Sequence, residues 1–450
     1  MHRQSSPLLR LLPLALALAG AFSASGAAAQ SLQDLYTAAR GFDASYQSAK
    51  SQFDATVAKA EQARALLLPT ANLALGASNT SQDITSGATN RNFSFDSQNV
   101  TVSASHPLYR PVNKAGYEQG MKQFELARAQ LLAAEQDLIV KVGQAYFDVL
   151  ASADSLAFVK AQKTAVAEQL ASAKRNFEVG TSTITDTREA QARFDLVVAQ
   201  ELAAENDLRV KNIALNQLVG LPNAVPKSLA VPVVLAPLTP ADPESWVQQS
   251  ASLHPALVQL QIALDVAKLE TEKAEAANKP TVDLTGSYTL GNSQRGTSTG
   301  PTSSDTRSNV AVVGVSFNYP LFNGYSVQNR IKETLALEDK ARTDLEASRR
   351  TIAQGVRTAF FGVLSGQAQV KAFEAAEESS QSALDANKLG YQVGVRINID
   401  VLNSQSQLYD TKAKLAKARY DVLLGGLKLK QAAGILKAED LAPVNSQLAN

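Results

Sequence analysis

The sequence predicts a mixed protein, mainly helical with a smaller β part, built from a duplicated unit of two strands and a long helical hairpin. Three observations lead to this prediction. Residues 142–220 align without a gap on residues 356–434. Each copy carries apolar residues at alternating spacings of three and four, which is typical of coiled-coil helices. Each copy also follows two segments in which apolar and polar residues alternate, which is typical of half-buried strands.

The alignment indicates two copies of one structural unit rather than a solenoid, because the period is as long as half of the protein. We expect the first repeat over residues 30–220 and the second over residues 246–434. Identical residues occur along the whole alignment, and they include Val142 and Val356, Phe147 and Phe361, Val179 and Val393, Gly180 and Gly394, Asp186 and Asp400, and Gly220 and Gly434.

Each repeat is expected to contain a helix, a glycine break and a second helix, over about 112–220 and about 325–434. Gly180 and Gly394 are suited to the left-handed conformation that ends a helix. Thr183 and Asn398 follow as candidate N-caps. The outgoing helix of the first hairpin would be roughly 100 Å long at 1.5 Å per residue. This length exceeds that of an ordinary globular domain. A further helix is expected over about 32–67, before the first strand.

The first 29 residues predict a signal peptide, with Arg3 and Arg10 before an apolar core and Ala27-Ala28-Ala29 at the cleavage site. A transmembrane anchor is the alternative, and the short apolar core disfavours it. No later run of about 18 apolar residues predicts a spanning helix. The absence of cysteine excludes a lipid-modified cysteine, and the formal net charge of +1 without a basic block disfavours a nucleic-acid partner.

Little in the composition points to an enzyme. The chain has three histidines and no cysteine, so metal and thiol chemistry have few candidate residues. His106 and His254 lie far apart in sequence, beside prolines, without a ligand pattern around them. We therefore expect no catalytic residues, no metal site and no cofactor.

The alternating segments predict strands at about 70–78, 99–107, 281–290 and 309–319, with polar linkers at 79–96 and 291–308. Strands of about ten residues with small polar groups on one face suit an outer-membrane barrel, and a soluble sandwich explains the alternation equally well. For a barrel, the residues expected to face lipid are Val282, Leu284, Val313 and Val315, and those expected to face the lumen are Asp283 and Thr285. Phe93 and Phe95 are out of phase with this pattern.

Prolines punctuate the strands at matching places in the two repeats. Pro69 and Pro280 precede the first strand of each repeat, and Pro107 and Pro320 are expected where the second strand gives way to helix. Residues 221–245 are rich in proline and predict an extended linker between the repeats. Residues 435–450 occupy the matching place after the second repeat.

The strand number has a consequence for assembly. Four strands in lipid leave open edges, whose unpaired backbone groups each cost several kcal/mol, and single-chain barrels begin at eight strands. Several copies must therefore share one barrel, if the strands cross a membrane. The polar helices would then lie in the periplasm. The competing hypothesis is a structural or adhesive coiled-coil protein, periplasmic or on the cell surface, with a soluble sandwich.

The sequence resembles the TolC-type outer-membrane channel family over essentially its whole mature length. The resemblance rests on the duplicated plan, on Val179-Gly180 followed by Ile184-Thr185-Asp186, and on Tyr391 to Arg396 followed by Asp400-Val401-Leu402. It implies a homotrimer with a shared transmembrane β-barrel continued by a periplasmic coiled-coil α-barrel. In that architecture, the linker and the C-terminal tail would lie in the equatorial region.

The resemblance also implies partners and sites. The expected partners are a periplasmic adaptor and an inner-membrane pump of the RND or ABC class, for drug efflux or type I protein secretion from a Gram-negative cell. Tyr391, Arg396, Thr185 and Asp186 match the family's periplasmic gate. Asp400 would form a ring of carboxylates at the constriction, unless it only complements the helix dipole. The family's second aspartate is Asn403 here, which predicts weaker block by polyvalent cations. The sequence does not identify the substrates or the pump.

Overall fold

The structure is a computed structural model that describes residues 29–449 except 88, 231, 234 and 298–303. The predicted signal peptide therefore lies outside the described residues, apart from Ala29. In chain order, the elements are α1 (Leu32–Phe42), α2 (Ala44–Ala65), β1 (Thr70–Ser86), β2 (Thr89–Tyr109), α3 (Pro111–Glu178), α4 (Ile184–Val219), α5 (Pro243–Leu253), α6 (Pro255–Ala276), β3 (Thr281–Gln294), β4 (Thr306–Asn318), α7 (Ser326–Gln392), α8 (Asn398–Ala432), a 3-10 turn (Ala438–Leu441) and α9 (Ala442–Asn445).

The chain divides into two compact units, and each draws on both repeats. One unit, the sheet unit, contains residues 49–132 and 255–350. The other, the hairpin unit, contains residues up to 48, 133–254 and 351–450. The boundaries of the compact units therefore differ from those of the sequence repeats.

The sheet unit contains a four-stranded antiparallel sheet in the order β1-β2-β3-β4. Its central pair joins the two repeats, because β2 belongs to the first and β3 to the second. The register places Leu75 opposite Val100, Val100 opposite Leu290, and Leu284 opposite Val315. Side chains that are opposite in an antiparallel ladder share a face, so apolar residues of all four strands lie together.

The strands of the first β-hairpin extend well beyond the predicted segments, and the polar linker predicted at 79–96 is largely strand. Of the linker predicted at 291–308, residues 291–294 belong to β3 and residues 306–308 to β4. In the first hairpin, the polar residues pair across the strands. The Oγ atoms of Ser78 and Ser97 are 2.8 Å apart, and Asn79 Nδ2 donates to Asp96 Oδ1 at 2.7 Å. A polar strand pair that satisfies its own side chains needs no apolar face, so its sequence lacks the alternation from which strands were predicted.

Helix α3 packs closely against α2 in the sheet unit. A Cβ atom at Gly120 would collide with the Cβ of Ala63, and one at Gly116 would lie 3.2 Å from Leu66 Cδ1. Ion pairs support the neighbouring helices, since Glu270 of α6 accepts from Arg330 Nη2 at 2.8 Å and from Gln119 Nε2 at 3.1 Å. Small residues and paired charges thus hold the helices that flank the sheet.

The hairpin unit is held by seams of apolar side chains. Val356, Phe360 and Val363 of α7 pack with Leu415 and Val422 of α8. A second cluster joins α3 to α4, and it contains Val166, Leu170, Ala173, Ala190 and Val197 together with Leu402 of α8. Polar contacts link α8 to α3, where Tyr420 donates to Asp154 Oδ2 at 2.6 Å. Burial raises the pKa of Asp154, and the hydrogen bond from Tyr420 opposes this shift.

Two expectations about helix ends need correction. The helix expected over about 32–67 is interrupted at Asp43, which accepts hydrogen bonds from the Tyr46 amide at 2.9 Å and from Lys141 Nζ at 2.7 Å. Asn398 was expected as an N-cap, but Ile397 occupies that position without a side-chain cap. Asn398 is fully buried and uses its amide group in contacts with other helices instead.

In the proline-rich segment between the repeats, the described residues form no helix until α5 begins at Pro243. Instead, it pairs locally with both ends of the chain: Gln30 bridges to Pro226, and Leu229 bridges to Leu448. Tyr146 donates to the Lys227 carbonyl at 2.8 Å and so connects this segment to α3. These contacts fix residues 226–229 of the linker within the hairpin unit.

Candidate functional site

One face of the sheet is apolar and exposed across all four strands. Val313 is 82% exposed and Val315 is 64% exposed, values typical of loops rather than of a sheet interior. The exposed apolar residues that share this face are Leu73, Leu75, Val100, Val102, Leu284, Tyr288, Leu290, Val313, Val315 and Phe317. A contiguous apolar face of this extent indicates a partner protein or a membrane.

The opposite face carries small polar residues. Ser103 lies opposite Ser287, and the Oγ1 atoms of Thr101 and Thr289 are 3.0 Å apart. Asp283, on this face, is bound by both nitrogens of the Arg110 fork at 2.7 Å each. Two apolar residues of β4, Val310 and Val312, interrupt the polar face. The sheet thus has one apolar face and one mostly polar face, as a wall between lipid and water requires.

Phe93 and Phe95, which did not fit the predicted pattern, lie on the polar face. Their rings stack with centroids 6.2 Å apart, and Phe95 is 8% exposed. Mutual burial of the two rings explains their presence there.

Both outer strands of the sheet lack a described neighbour on one side. Within the described residues, β1 pairs only with β2, and β4 pairs only with β3. Their outer backbone groups are free to pair with another chain.

The helix turns at Gly180 and Gly394 have the same geometry, with φ of +79° at both glycines. After the first turn, Thr183 caps α4 in a reciprocal box with Asp186, whose carboxylate accepts from the Thr183 amide at 3.0 Å and from Ser182 Oγ at 2.8 Å. Partial burial raises the pKa of Asp186, but these hydrogen bonds outweigh it and lower the pKa below its ordinary value.

The four residues assigned to the gate do not form a network within one chain. Tyr391 OH accepts from Asn176 Nδ2 at 3.2 Å, which links the two turns. Arg396 lies 3.7 Å from Asp400 on its own segment, and its side chain is 58% exposed. Asp186 is held in its own cap, and Thr185 is exposed. Any contact between Arg396 and the pair of Thr185 and Asp186 would therefore require another copy or a rearrangement.

The structure also places Asn403, together with Arg193, which the sequence analysis did not single out, and Asn398, whose buried contacts it did not predict. Arg193 of α4 donates to Asn403 Oδ1 at 2.8 Å, so this side chain holds α4 to α8. Asn398 accepts from Gln169 and donates to the Asp186 carbonyl at 3.3 Å. The sequence indicated Asn398 only as the start of a helix and gave no sign of these buried contacts.

The four prolines lie near strand ends, with one difference from expectation. Pro69 and Pro280 directly precede β1 and β3, and Pro320 follows β4. Pro107 lies inside β2, which continues to Tyr109 after an irregularity in its pairing with β3. Proline has no amide hydrogen to donate, which fits its position beside this irregularity; helix α3 begins instead at Pro111.

No described helix is both long enough and apolar enough to cross a membrane. The described residues also contain no group of three or more acidic, histidine or cysteine side chains arranged to hold a metal ion.

Comparison with known proteins decides the family. The family model of outer membrane efflux proteins matches residues 23–221 and 246–435, and its two segments follow the two repeats. The chain belongs to the outer membrane efflux protein family. The outer membrane protein TolC of Vibrio cholerae is 32% identical over 439 residues, which are 98% of either chain. The alkaline protease secretion protein AprF of Pseudomonas aeruginosa is 30% identical over 416 residues, 91% of this chain and 85% of AprF.

A solved structure shows the same fold. The outer membrane protein VceC of Vibrio cholerae superimposes with a TM-score of 0.73 and 18% identity, over 90% of this chain and 96% of VceC. The resemblance drawn from the sequence and the mainly helical fold with a strand part are thereby confirmed. As an outer membrane efflux protein, the chain is an efflux or secretion channel of the Gram-negative outer membrane. The family is one of channels, and the adhesive coiled-coil alternative receives no support.

Proposed function

We propose that three copies of the chain close one barrel and carry small toxic compounds, proteins or both from an inner-membrane pump to the cell exterior. The number three comes from the family resemblance. The observation that supports the proposal is the sheet with an exposed apolar face and two free edges.

The free edges explain why one chain is insufficient. β4 spans 13 residues and, along its outer side, about half of its backbone groups lack a partner in the sheet. In lipid each such group costs several kcal/mol, so the edges together would cost on the order of tens of kcal/mol. Pairing β4 of one copy with β1 of the next removes this cost and closes the sheet.

The helix turns supply the proposed gate. Tyr391 and Arg396 lie on the second turn, and Thr185 and Asp186 begin the helix after the first. In a trimer, Arg396 of one copy can reach the first turn of another, and its planar fork suits a carboxylate and a hydroxyl together. Three weak pairs related by symmetry would bias the closed state over the open one by a few kcal/mol at most.

The constriction is assigned to Asp400, one turn beyond the same glycine break. Threefold symmetry would bring three carboxylates together, and the 3.7 Å approach of Arg396 to Asp400 would partly neutralise each. Asn403 adds no charge and is held by Arg193. We therefore expect a single acidic ring, and weaker block by polyvalent cations than two rings would give.

The proposed partners are a periplasmic adaptor and an inner-membrane transporter of the RND or ABC class. The matching family model is named for efflux and the relative AprF is named for protease secretion, so both cargo classes remain in the proposal. Crosslinking in cells followed by mass spectrometry of co-purified inner-membrane proteins would identify the pump and, through it, the cargo.

The proposal is tested by electrical recording. Purified protein should run as a heat-modifiable trimer and should conduct in steps when added to a planar lipid bilayer. A monodisperse monomer that retains its β signal in detergent, or the absence of conductance from well-folded trimers, would refute it.

A further inference from the structure

The apolar face of the sheet changes to a polar surface between two neighbouring rows of side chains. The register places opposite one another, on this face, the residues Leu75, Val100, Leu290 and Asn309, which we call the inner row. The next row on the same face, the outer row, consists of Ala77, Gln98, Asn292 and Arg307. The inner row is mainly hydrocarbon, whereas the outer row carries two amides and a guanidinium.

The outer row lies toward the end of the sheet that is away from the helices. β1 and β3 begin after α2 and α6, while β2 and β4 end before α3 and α7, so all four connections to helices leave the sheet at one end. The chain is a channel of the outer membrane with a periplasmic extension. With the helices in the periplasm, the outer row lies on the exterior side, at the depth where lipid hydrocarbon gives way to headgroups.

A groove of about 600 Å³ crosses the boundary between the two rows. All eight residues of the inner and outer rows line it. Its volume is in the range of sites that hold a small molecule or one end of a larger one. The groove therefore offers an apolar wall on the membrane side and a polar wall on the exterior side.

Arg307 is the one lysine or arginine on the apolar face of the described strands. The strands carry one other, Arg91, which pairs with Ile84 on the polar face. Arg307 is exposed and forms no ion pair with the residues that the structure describes. A guanidinium binds phosphate through two parallel hydrogen bonds, and cations at the edge of a membrane attract anionic headgroups.

Asn292 supplies an independent sign of a ligand. Its Oδ1 atom is buried and accepts no hydrogen bond within the described part of the chain. A buried acceptor without a donor is unfavourable, so a ligand hydroxyl that donates to Asn292 would be stabilised here. Gln98 lies directly opposite Asn292, and its amide can both donate and accept. Paired amides of this kind suit the hydroxyl groups of a sugar.

We propose that the groove binds an anionic glycolipid of the outer leaflet. A phosphate lies on Arg307, a sugar hydroxyl donates to Asn292, and an acyl chain covers Leu75, Val100 and Leu290 of the inner row. The order of these three groups along the groove is their order along such a lipid, from headgroup to hydrocarbon. This inference rests on the proposed barrel and adds to it a site for one class of lipid.

One carboxylate lies near the site. Asp96 is on the same face, one row beyond Gln98. Its Oδ1 atom accepts from Asn79, and its Oδ2 atom lies 3.9 Å from the Arg295 guanidinium. These partners offset the repulsion between Asp96 and a bound phosphate, and Arg295 adds a second cation on the exterior side.

Lipid binding to the purified full-length protein tests the proposal. Diphosphoryl lipid A, which has acyl chains, sugars and phosphates, is titrated into trimers in detergent, and bound lipid is counted by native mass spectrometry. Phosphatidic acid provides phosphate and acyl chains without a sugar, and inorganic phosphate provides the anion alone. The variant Arg307→Gln is compared with Arg91→Gln, a matched control that removes the same charge from the opposite face of the sheet.

Arg307→Gln should weaken the binding of lipid A by at least about tenfold, because it removes two charge-assisted hydrogen bonds. Arg307→Lys, which keeps the charge and loses the fork, should have an intermediate effect, and Arg91→Gln should have none. Asn292→Ala should weaken lipid A by about threefold or more and leave phosphatidic acid unchanged. Inorganic phosphate alone should not compete with lipid A, because it leaves the inner row uncovered.

Equal affinity of Arg307→Gln and Arg91→Gln trimers for lipid A would overturn the inference and leave the channel proposal intact. Phosphatidic acid that binds the unmodified protein as tightly as lipid A would overturn the assignment to a glycolipid. Competition by inorganic phosphate would show a simple anion site instead. A chain that forms no oligomer and no channel would overturn both proposals.

Discussion

The apolar face of the sheet can be tested at two adjacent valines. Val313 and Val312 lie near the middle of β4, and their side chains point to opposite faces. Val313 lies on the apolar face and is 82% exposed, whereas Val312 lies opposite Ser287 on the polar face and is 53% exposed. Arginine at each site therefore tests the face alone, with residue type, strand and depth held nearly constant.

We expect Val313→Arg to destabilise the folded protein by about 2–4 kcal/mol, because mid-strand on the lipid face corresponds to the bilayer midplane. At 1.36 kcal/mol per tenfold, this loss lowers the folding equilibrium by roughly 30- to 900-fold. Val312→Arg places the charge in a water-filled lumen, and the expected loss is below about 1 kcal/mol. Thr285→Arg, on the same face as Val312, should behave like Val312→Arg.

The assay is refolding into lipid vesicles across a urea series, with the folded fraction read from the heat-dependent gel shift. Val313→Arg should move the midpoint to clearly lower urea, while the other two variants should stay near the unmodified protein. Equal shifts for Val313→Arg and Val312→Arg would refute the assignment of the two faces. Greater damage from Val312→Arg would indicate that the face carrying Val312, and not the apolar face, is the one excluded from water.

Four further predictions concern the hairpin unit. Gly434→Ala should lower the thermal midpoint of unfolding far more than Gly394→Ala. Both glycines have positive φ, which costs an alanine about 1–2 kcal/mol, but only at Gly434 would the added Cβ collide with backbone, 2.6 Å from the His254 nitrogen. Equal shifts of the two midpoints would contradict this. The double variant Arg396→Ser with Tyr391→Phe should raise single-channel conductance with the trimer intact, because it removes contacts of the proposed gate. An unchanged conductance would show that these residues do not hold the channel closed. Asp400→Ala should reduce cation selectivity in reversal-potential measurements, whereas Asn403→Ala, the matched control, should not; unchanged selectivity in Asp400→Ala rejects the ring. Burial raises the pKa of Asp43, but hydrogen bonds from Lys141 and Tyr46 outweigh it and lower the pKa below its ordinary value of 3.8. The ionised carboxylate therefore stabilises the folded protein above pH 3.8, and this contribution is lost as pH falls through the folded-state pKa. Asp43→Asn should lower the thermal midpoint at about pH 7 more than at about pH 3, and a difference that does not depend on pH would oppose this.

The sequence predicted those features that leave a periodic signal. The repeat, the helices and the apolar parts of the strands all followed from spacing. The outer half of the β-hairpin formed by β1 and β2 was not predicted, because pairs such as Asn79 with Asp96 stabilise a strand without alternation of apolar and polar residues. A polar segment that satisfies itself across a ladder has the same composition as a loop.

Single side chains were less predictable than elements. Asn398 has the composition of an N-cap, yet its burial between Gln169 and the Asp186 carbonyl depends on helices more than 200 residues apart in sequence. Arg193 gave no signal at all, since its partner Asn403 is known only once α4 and α8 are placed together. The positions of the proposed gate residues followed from sequence, but their intrachain partners did not.

The pairing of β2 with β3 also constrains how the protein reaches its native state. Thr101 and Thr289, which meet in this pairing, are separated by 188 residues. Until the second repeat is available, the hairpin of β1 and β2 has two open edges and an uncovered apolar face. Long-range pairing of this kind is slow, because a large loop must close before any contact forms. A chain truncated after β2 and before β3 would keep this hairpin without its partner strand, and open edges beside an uncovered apolar face promote aggregation.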